Sequence, residues 1–225
     1  RRRIVRRVSI QGSKFSGLEG QEAGSNCRSI DVVIVNAAEV SRSYYKGDYD
    51  AKAKQLPTCW SANTQIPAHE VPEDQRQSGR CMDCTQNIRG SGSGSGRACT
   101  FHQRLAVVEE HALDTVYQLQ VPASSIFGKE RGRGTMPLQA YAKFLSGHGT
   151  PSLAVVTRIS FDEGSPVPKL FFYPQRPLEE NELEKVRFMV DHDDTLEAIA
   201  FSVDQRTSKG SPFAEVEGFN INSLG

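Results

Sequence analysis

The sequence predicts a mainly β protein with minor α: a five-stranded barrel-like core, an inserted cysteine-rich module, and helices towards the C-terminal end. Three observations favour this class. Short segments rich in β-branched and apolar residues are separated by turn residues. A long segment of Pro, Gly, Ser and polar residues interrupts them and contains three of the five cysteines. Helical periodicity is confined to the second half of the chain.

The first third of the chain predicts two strands and then an irregular segment. Residues 4–10 alternate as a strand, and a run of glycines ends it. Residues 30–36 are apolar enough to form a central strand that is buried on both faces. From residue 41 to residue 96 the periodicity is lost, and order in so long a segment requires a staple such as a metal ion.

Strands resume after this segment. Residues 105–108 and 115–121 are predicted strands, and Pro122 ends the second because proline has no backbone N–H to donate. Residues 153–161 and 169–173 are predicted to pair as a hairpin across the turn that follows Asp162.

Helices are predicted in three places. Pro137 opens the first helix, in which one face is apolar at i, i+3, i+4 and i+7; its residues are Leu138, Tyr141, Ala142 and Leu145. Residues 178–190 form a second helix with Leu183, Val186 and Val190 turned inward. A short third helix is expected over residues 195–201.

The resulting order is strand, strand, insertion, strand, helix, strand, strand and helices. It matches an OB-fold, a five-stranded Greek-key barrel that binds oligonucleotides on its strand faces and loops. A small β-sandwich or another α+β sheet gives a similar order. The division expected is 1–40 for the first core strands, 41–104 for the insertion, 105–176 for the rest of the core and 177–225 for an acidic helical segment.

Composition limits the class of protein. The 225 residues, 37% of them hydrophobic, are enough for one core and a small satellite. No apolar run approaches the ~20 residues that cross a bilayer, and no secretion signal follows the basic residues at the start. We therefore expect a cytoplasmic protein with no membrane partner. In a reducing compartment, an odd number of cysteines with one Cys-x-x-Cys pair indicates metal rather than disulfides.

A net charge of zero hides an uneven distribution of charge. The first 14 residues contain six basic residues and no acidic one, whereas residues 178–200 contain eight acidic residues and two basic ones. One region could therefore face a polyanion that the other repels, although solvated surface explains either run equally well.

The cysteine spacing is the most specific motif in the chain. Cys81 and Cys84 form a Cys-x-x-Cys pair, 21 residues separate Cys59 from Cys81, and 14 residues separate Cys84 from Cys99. Four thiolates at these spacings predict a closed tetrahedral structural Zn²⁺ site in a zinc ribbon or knuckle.

Other interpretations of this motif stay open. His69 or His102 could replace one thiolate, and Glu70 would permit a catalytic zinc. A redox Cys-x-x-Cys is disfavoured because no βαβ pattern surrounds it. Cys27 is left over. Between Cys84 and Cys99 the Gly-Ser run of residues 90–96 is either an engineered linker or a natural flexible loop.

Enzyme signatures are missing from the sequence. No nucleophile elbow, Walker A loop, dinucleotide fingerprint or His-Glu-x-x-His is present. The string from Asp191 to Asp194, which includes His192 and Asp193, could hold Mg²⁺ in a nuclease, but a helix end or surface turn explains it more simply. The sequence predicts a protein without enzymatic activity.

Aromatic and basic residues alternate as they do in proteins that bind single strands, where bases stack on rings and cations follow the phosphates. A third aromatic stretch, residues 171–173, is mostly expected in the core. The predicted contact residues are Arg42, Tyr44, Tyr45, Lys46, Tyr49, Lys52 and Lys54 in one stretch, and Arg131 and Arg133 near Phe127 in a second.

The OB-like order, the cysteine insertion and these interleaved residues together resemble the single-stranded DNA-binding proteins of bacteriophages. The zinc-containing members from T-even phages are similar, because they carry a zinc subdomain within an OB-fold. The resemblance covers the pattern of residues 4–175. It implies non-specific coating of single-stranded DNA during phage replication or recombination in the host cytoplasm, with replication or transcription proteins as partners.

Two other functions are compatible with the sequence. A zinc-ribbon adaptor would bind a polymerase or replisome protein through the same module. A metal-dependent nuclease would be built around residues 191–194. The salt dependence of nucleic-acid binding separates the adaptor from the single-strand binder.

Overall fold

The computed structural model describes residues 5–19, 27–47, 56–132 and 134–201. The chain divides into two compact units. The larger unit is residues 1–38 and 104–200, and the smaller unit is residues 39–103 and 201–225. In the described ranges, no helix is long and apolar enough to cross a membrane.

A mixed β-sheet forms the larger unit. Its strands follow the order β2-β1-β7-β6-β3-β8-β9. The β1–β7 pair is parallel, whereas β1–β2, β3–β6, β3–β8 and β8–β9 are antiparallel. The mainly β class is confirmed, with more strands than the five predicted. The strands are β1 (Arg7–Gln11), β2 (Lys14–Ser16), β3 (Ser29–Ala37), β6 (Cys99–Glu109), β7 (Ala112–Pro122), β8 (Val155–Phe161) and β9 (Leu170–Pro177). Of β6, residues 104–109 belong to this unit.

The middle of this sheet is apolar on both faces. Residues 32–35 of β3 and 105–108 of β6 are all buried. Because β3 lies between β6 and β8, the prediction of a central strand at residues 30–36 is confirmed. On one side, Val186, Met189 and Ala198 of the C-terminal helices pack against Val33 and its neighbours. Burial of apolar surface at about 25 cal/mol per Å² is the main force that joins these helices to the sheet.

Within the described residues, four α-helices accompany the strands: α1 (Ala123–Ile126), α2 (Leu138–Gly147), α3 (Glu180–Met189) and α4 (Asp193–Ile199). In α2, Leu138, Tyr141 and Leu145 are buried as predicted, whereas Ala142 is exposed. The apolar stripe of α2 is therefore narrower than the periodicity indicates. Helix α3 begins with a reciprocal capping box between Glu179 and Glu182.

Arg176 at the end of β9 ties that strand to α3. Its guanidinium donates to both carboxylate oxygens of Glu182, at 2.8 and 2.9 Å, and to Glu110 at 2.8 Å. Hydrogen bonds from Arg176, and then from the backbone N–H of Glu179, lower the pKa of Glu182 from 4.5 to about 2.

The lowered pKa of Glu182 predicts that the folded protein loses stability in acid. A lowered folded-state pKa stabilises the protein above the unfolded value, and that stability is lost as the pH falls from 4.5 to about 2. Since the pair is partly solvated, we expect a loss of about 1 kcal/mol. Urea unfolding at pH 5.5 and pH 2.5 should show this acid-dependent loss in the wild-type protein and not in Arg176→Met. An equal pH dependence in both proteins would contradict the prediction.

In the described part of the smaller unit, three strand segments pair side by side. Strand β4 (Ser41–Tyr44) pairs antiparallel with β5 (Cys59–Ser61) on one side and with residues 99–102 of β6 on the other. Short 3₁₀ turns follow, at Glu73–Gln75, Cys81–Asp83 and Thr85–Asn87. The prediction that residues 41–96 lack regular structure is therefore wrong for β4 and β5. These strands are too short to show a periodic pattern.

Candidate metal centre and candidate nucleic-acid surface

The four predicted zinc ligands come together in the smaller unit. Cys59 and Cys99 are the first residues of β5 and β6, and both are register partners of Tyr44 on the strand between them. Cys81 and Cys84 lie on the 3₁₀ turn that begins at residue 81. The backbone N–H of Cys81 donates to Gln65 at 2.8 Å, which joins this turn to the segment after β5. Sheet pairing and turn geometry thus bring distant parts of the chain together.

The four thiols, all buried and all free of disulfides, line one cavity. Burial raises the pKa of Cys59, and burial also raises the pKa of Cys99 to about 12, with the neighbouring thiols adding to both shifts. Backbone N–H groups of Gln77 and Trp60 point to the Cys59 sulfur and oppose its shift. Without a metal ion, the thiols of Cys59 and Cys99 are therefore protonated at neutral pH.

The donor set of this cavity fits zinc, which prefers four sulfur ligands in a closed tetrahedral site. As the side chains stand, however, no group of three or more His, Cys, Asp or Glu residues in the described part of the chain could hold a metal ion. The four cysteines nevertheless line one cavity, and metal binding there would draw their thiols towards a common ion.

Neither histidine that was considered as a replacement ligand lines the cavity. His69 is exposed beside Glu70, at 3.2 Å, and His102 lies on β6 opposite Ser41. Trp60 lines the cavity, as expected for a residue next to a ligand cysteine. Cys27 belongs to the larger unit, where its thiol donates to the Ser29 carbonyl at 2.7 Å.

The Gly-Ser run of residues 90–96 forms a hydrogen-bonded turn. The N–H groups of Gly90 and Gly92 donate to the Gly96 carbonyl at 2.8 and 3.0 Å. The Ser91 hydroxyl donates to the Ile88 carbonyl at 2.7 Å and accepts from the Ala98 N–H at 3.0 Å. A Cβ on Gly92 would lie 2.8 Å from the backbone of Arg97. This close packing argues against a flexible linker between Cys84 and Cys99.

Arg42 is not at the surface. Its side chain is 2% exposed, and its guanidinium donates to the Cys81 carbonyl at 3.4 Å and to Asn87 Oδ1 at 2.5 Å. The guanidinium also lies 4.2 Å from the centre of the Phe101 ring. The prediction that Arg42 contacts phosphate is therefore wrong for this structure, because strand pairing turns its side chain towards the cysteine turn.

The other predicted nucleic-acid contacts near β4 are only partly described. Tyr44 is half-buried and lines the cysteine cavity, Tyr45 is half-buried, and Lys46 is exposed. Tyr49, Lys52, Lys54 and Arg133 lie outside the described residues.

In the larger unit, strands β8 and β9 and the segments beside them carry an exposed aromatic ring and several cations. We call this group, Tyr173, Arg158, Lys169 and Arg131, the Tyr173 surface. Tyr173 is 43% exposed and is the register partner of Arg158. Arg131 is exposed and, after burial, is the next cause of the lowered pKa of Lys169.

Neighbouring groups hold the Tyr173 surface in place. A Cβ on Gly134 would lie 3.1 Å from Cδ2 of Tyr173, so the loop that carries Arg131 runs against the ring. Arg158 donates to both carboxylate oxygens of Asp31, at 2.8 and 2.7 Å. The Lys169 ammonium lies 5.4 Å from the centre of the Phe171 ring.

Sequence reasoning did not single out Tyr173. Phe171 and Phe172, its neighbours in the same aromatic string, are buried, as expected for core residues. Two features of the sequence could have indicated that Tyr173 is exposed. It stands at the end of the apolar run, and its ring carries a polar hydroxyl. Alternation along a strand places it on the face opposite Phe172.

The string from Asp191 to Asp194 forms the start of a helix. His192 is the N-cap of α4, and its Nδ1 accepts from the Asp194 N–H at 3.2 Å. Asp193 and Asp194 occupy the first turn, where negative charge stabilises the helix dipole. Helix capping therefore explains the positions of these side chains.

Comparison of the chain with protein-family models, with curated proteins and with solved structures gives no match. The two candidate sites of this chain are the cysteine cavity of the smaller unit and the Tyr173 surface of the larger unit.

Proposed function

We propose that this chain is a non-enzymatic single-stranded nucleic-acid-binding protein whose smaller unit is stabilised by a structural zinc ion. The Tyr173 surface carries the proposal. There the exposed ring of Tyr173 lies opposite Arg158 in the register of β8 and β9. The loop that carries Arg131 runs against this ring, and Lys169 immediately precedes β9.

The chemistry of this surface suits a single strand better than a duplex. A base stacked on an aromatic ring contributes about 1–3 kcal/mol, and this stacking requires an unpaired base. Cations beside the ring neutralise the phosphates that flank the stacked base, without selecting a sequence. Because Asp31 already neutralises Arg158, Lys169 and Arg131 supply most of the attraction for phosphate.

Zinc in the smaller unit would be held by Cys59, Cys81, Cys84 and Cys99. A closed tetrathiolate site supplies folding free energy and no open position for chemistry. Such an ion would fix the cysteine turn to the strands that carry Cys59 and Cys99. Its role in the proposal is structural.

We also propose that nucleic acid binds on the strand face of the larger sheet, as oligonucleotides do in OB-folds. The biological role proposed is the coating of transient single-stranded DNA during phage replication or recombination, in the host cytoplasm and beside replication proteins. The resemblance to phage single-stranded DNA-binding proteins supports this role.

Titration of a labelled oligo-dT of about 30 nucleotides, followed by fluorescence anisotropy at two salt concentrations, tests the function. We expect salt-sensitive binding to the single strand and little binding to a matched duplex. Tyr173→Ala should weaken binding about tenfold through the lost stack, whereas Tyr173→Phe should bind as the wild type does. Phe188→Ala, which changes an exposed ring on α3, is the control and should have no effect.

Two results would count against this function. Absence of oligo-dT binding at low salt would remove it, and unchanged binding by Tyr173→Ala would remove the Tyr173 surface from it.

A zinc-ribbon adaptor is the second candidate, and exposed apolar side chains in the smaller unit favour it. Met82, between the two cysteines of the Cys-x-x-Cys turn, is 72% exposed, and Ile66 and Ile88 are exposed as well. Exposed apolar groups mark protein-binding surfaces where they form a contiguous patch. If oligo-dT does not bind, a polymerase or replisome protein becomes the expected partner.

A further inference from the structure

The smaller unit contains a buried cation with no carboxylate beside it. Among the described residues, no Asp or Glu lies within ion-pair distance of Arg42, and its Nε has no hydrogen-bond partner. The rest of the Arg42 guanidinium contacts a carbonyl, a side-chain amide and an aromatic ring. All three are electrically neutral groups.

A buried guanidinium is costly unless an anion compensates it. Arginine stays protonated in proteins, so it cannot escape this cost by losing its proton. Neutral hydrogen-bond acceptors and one ring face offset only part of the lost hydration. The position of Arg42 therefore implies that a negative charge forms nearby when the unit is complete.

The cysteine cavity is the place where that charge can form. Arg42 itself lines the cavity together with all four cysteines. The guanidinium of Arg42 also donates to the backbone carbonyl of Cys81, one of the four cysteines, at 3.4 Å. Zinc with four thiolates carries a net charge of about −2, since four deprotonated sulfurs outweigh one divalent cation.

We infer that Arg42 is the counter-charge of an all-thiolate zinc centre formed by Cys59, Cys81, Cys84 and Cys99. The inference rests on the zinc part of the proposed function and deepens it. Arg42 acts through the ligands, as a positioning residue. Its hydrogen bonds to the Cys81 carbonyl and to Asn87 hold the Cys-x-x-Cys turn and the 3₁₀ turn that follows it against β4.

Substitutions at Arg42 separate charge from hydrogen bonding. Arg42→Lys keeps the charge and loses the planar fork, whereas Arg42→Gln keeps hydrogen-bonding groups and loses the charge. Zinc affinity is measured by competition with a chromogenic chelator, on the full chain. We expect Arg42→Gln to weaken zinc affinity by about 10- to 100-fold, the usual effect of removing a group that contacts the metal ligands. Arg42→Lys should weaken zinc affinity only a few-fold.

Arg80→Gln is the matched control, because Arg80 is exposed next to Cys81 and pairs with Asp83 at 3.6 Å. It should leave zinc affinity unchanged. Equal affinities for the wild type and Arg42→Gln would overturn the inference. A loss in Arg42→Lys as large as that in Arg42→Gln would also overturn it, because the hydrogen bonds and not the charge would then matter.

A second variant tests the inference without removing the arginine. Asn87→Asp places a carboxylate 2.5 Å from the guanidinium, so that Arg42 is neutralised locally. If Arg42 is the counter-charge, zinc affinity falls about tenfold or more. If Arg42 is only a structural link, the stronger pair maintains or raises zinc affinity, and the inference fails. Gln86→Glu adds the same charge one residue away and should have a smaller effect.

The wild-type protein is titrated first, so that two failures stay distinct. A wild-type chain that binds no zinc removes the metal from the proposed function, and the counter-charge with it. A wild-type chain that binds zinc, with unchanged affinity in Arg42→Gln and Asn87→Asp, removes the counter-charge alone. Absorption of the Co²⁺ form reports the number of thiolate ligands and should indicate four in the wild type.

Discussion

Cys84→Ser should release zinc and unfold the smaller unit, at a cost of several kcal/mol. A hydroxyl is a far weaker zinc ligand than a thiolate, and metal binding and folding are a single equilibrium in a small unit of this kind. Apart from a metal ion, the described part of the unit is held by three paired strands and short turns. Zinc content after gel filtration and hydrogen exchange of residues 56–103 measure the effect.

Cys27→Ser is the control for this experiment. Cys27 belongs to the larger unit and does not line the cavity. We expect full zinc content and unchanged hydrogen exchange in this variant. Full zinc content together with an unchanged melting curve in Cys84→Ser would contradict the assignment of Cys84 as a ligand.

Phe172→Ala should destabilise the larger unit by about 3–5 kcal/mol, the usual cost of removing a fully buried ring. Phe172 is 0% exposed, pairs with Ile159 across β8 and β9, and lies 6.1 Å from the Tyr141 ring. Its backbone N–H donates to Met136, so little room exists for the strand to collapse into the cavity. Urea unfolding followed by far-UV circular dichroism gives the change in free energy.

Phe188→Ala makes the same chemical change on the exposed face of α3. Because Phe188 is 77% exposed, its loss should change stability by less than about 0.5 kcal/mol. A similar, small destabilisation in both variants would show that Phe172 is not part of the core described above.

The sequence determined those features that depend on local pattern. The apolar run at residues 30–36 can be buried only between two strands, and β3 is buried in that way. Helix α3 was predictable because its periodicity and its first-turn acids agree. The four cysteines were grouped by spacing alone, because close thiols at zinc-ribbon spacings have few other uses.

Other features depended on contacts between distant segments. Strand β4 is too short for alternation to show whether the Arg42 side chain points inward or outward. The basic side chain was therefore predicted to lie at the surface. The register of β4 with β5 and β6 decided its burial against the cysteine turn. In the same way, the pairing of β8 with β9 brought Arg158 to Tyr173.

The sequence by itself thus determined the mainly β class, the central strand, the C-terminal helices and the grouping of the cysteines. Tertiary structure alone decided that Arg42 is buried with the thiols, that the Gly-Ser run is an ordered turn, and that Tyr173 is the exposed ring of its strand. The physical reason is range. Periodicity and spacing act within a segment, whereas burial, register and the neighbours of a charge depend on which segments pair.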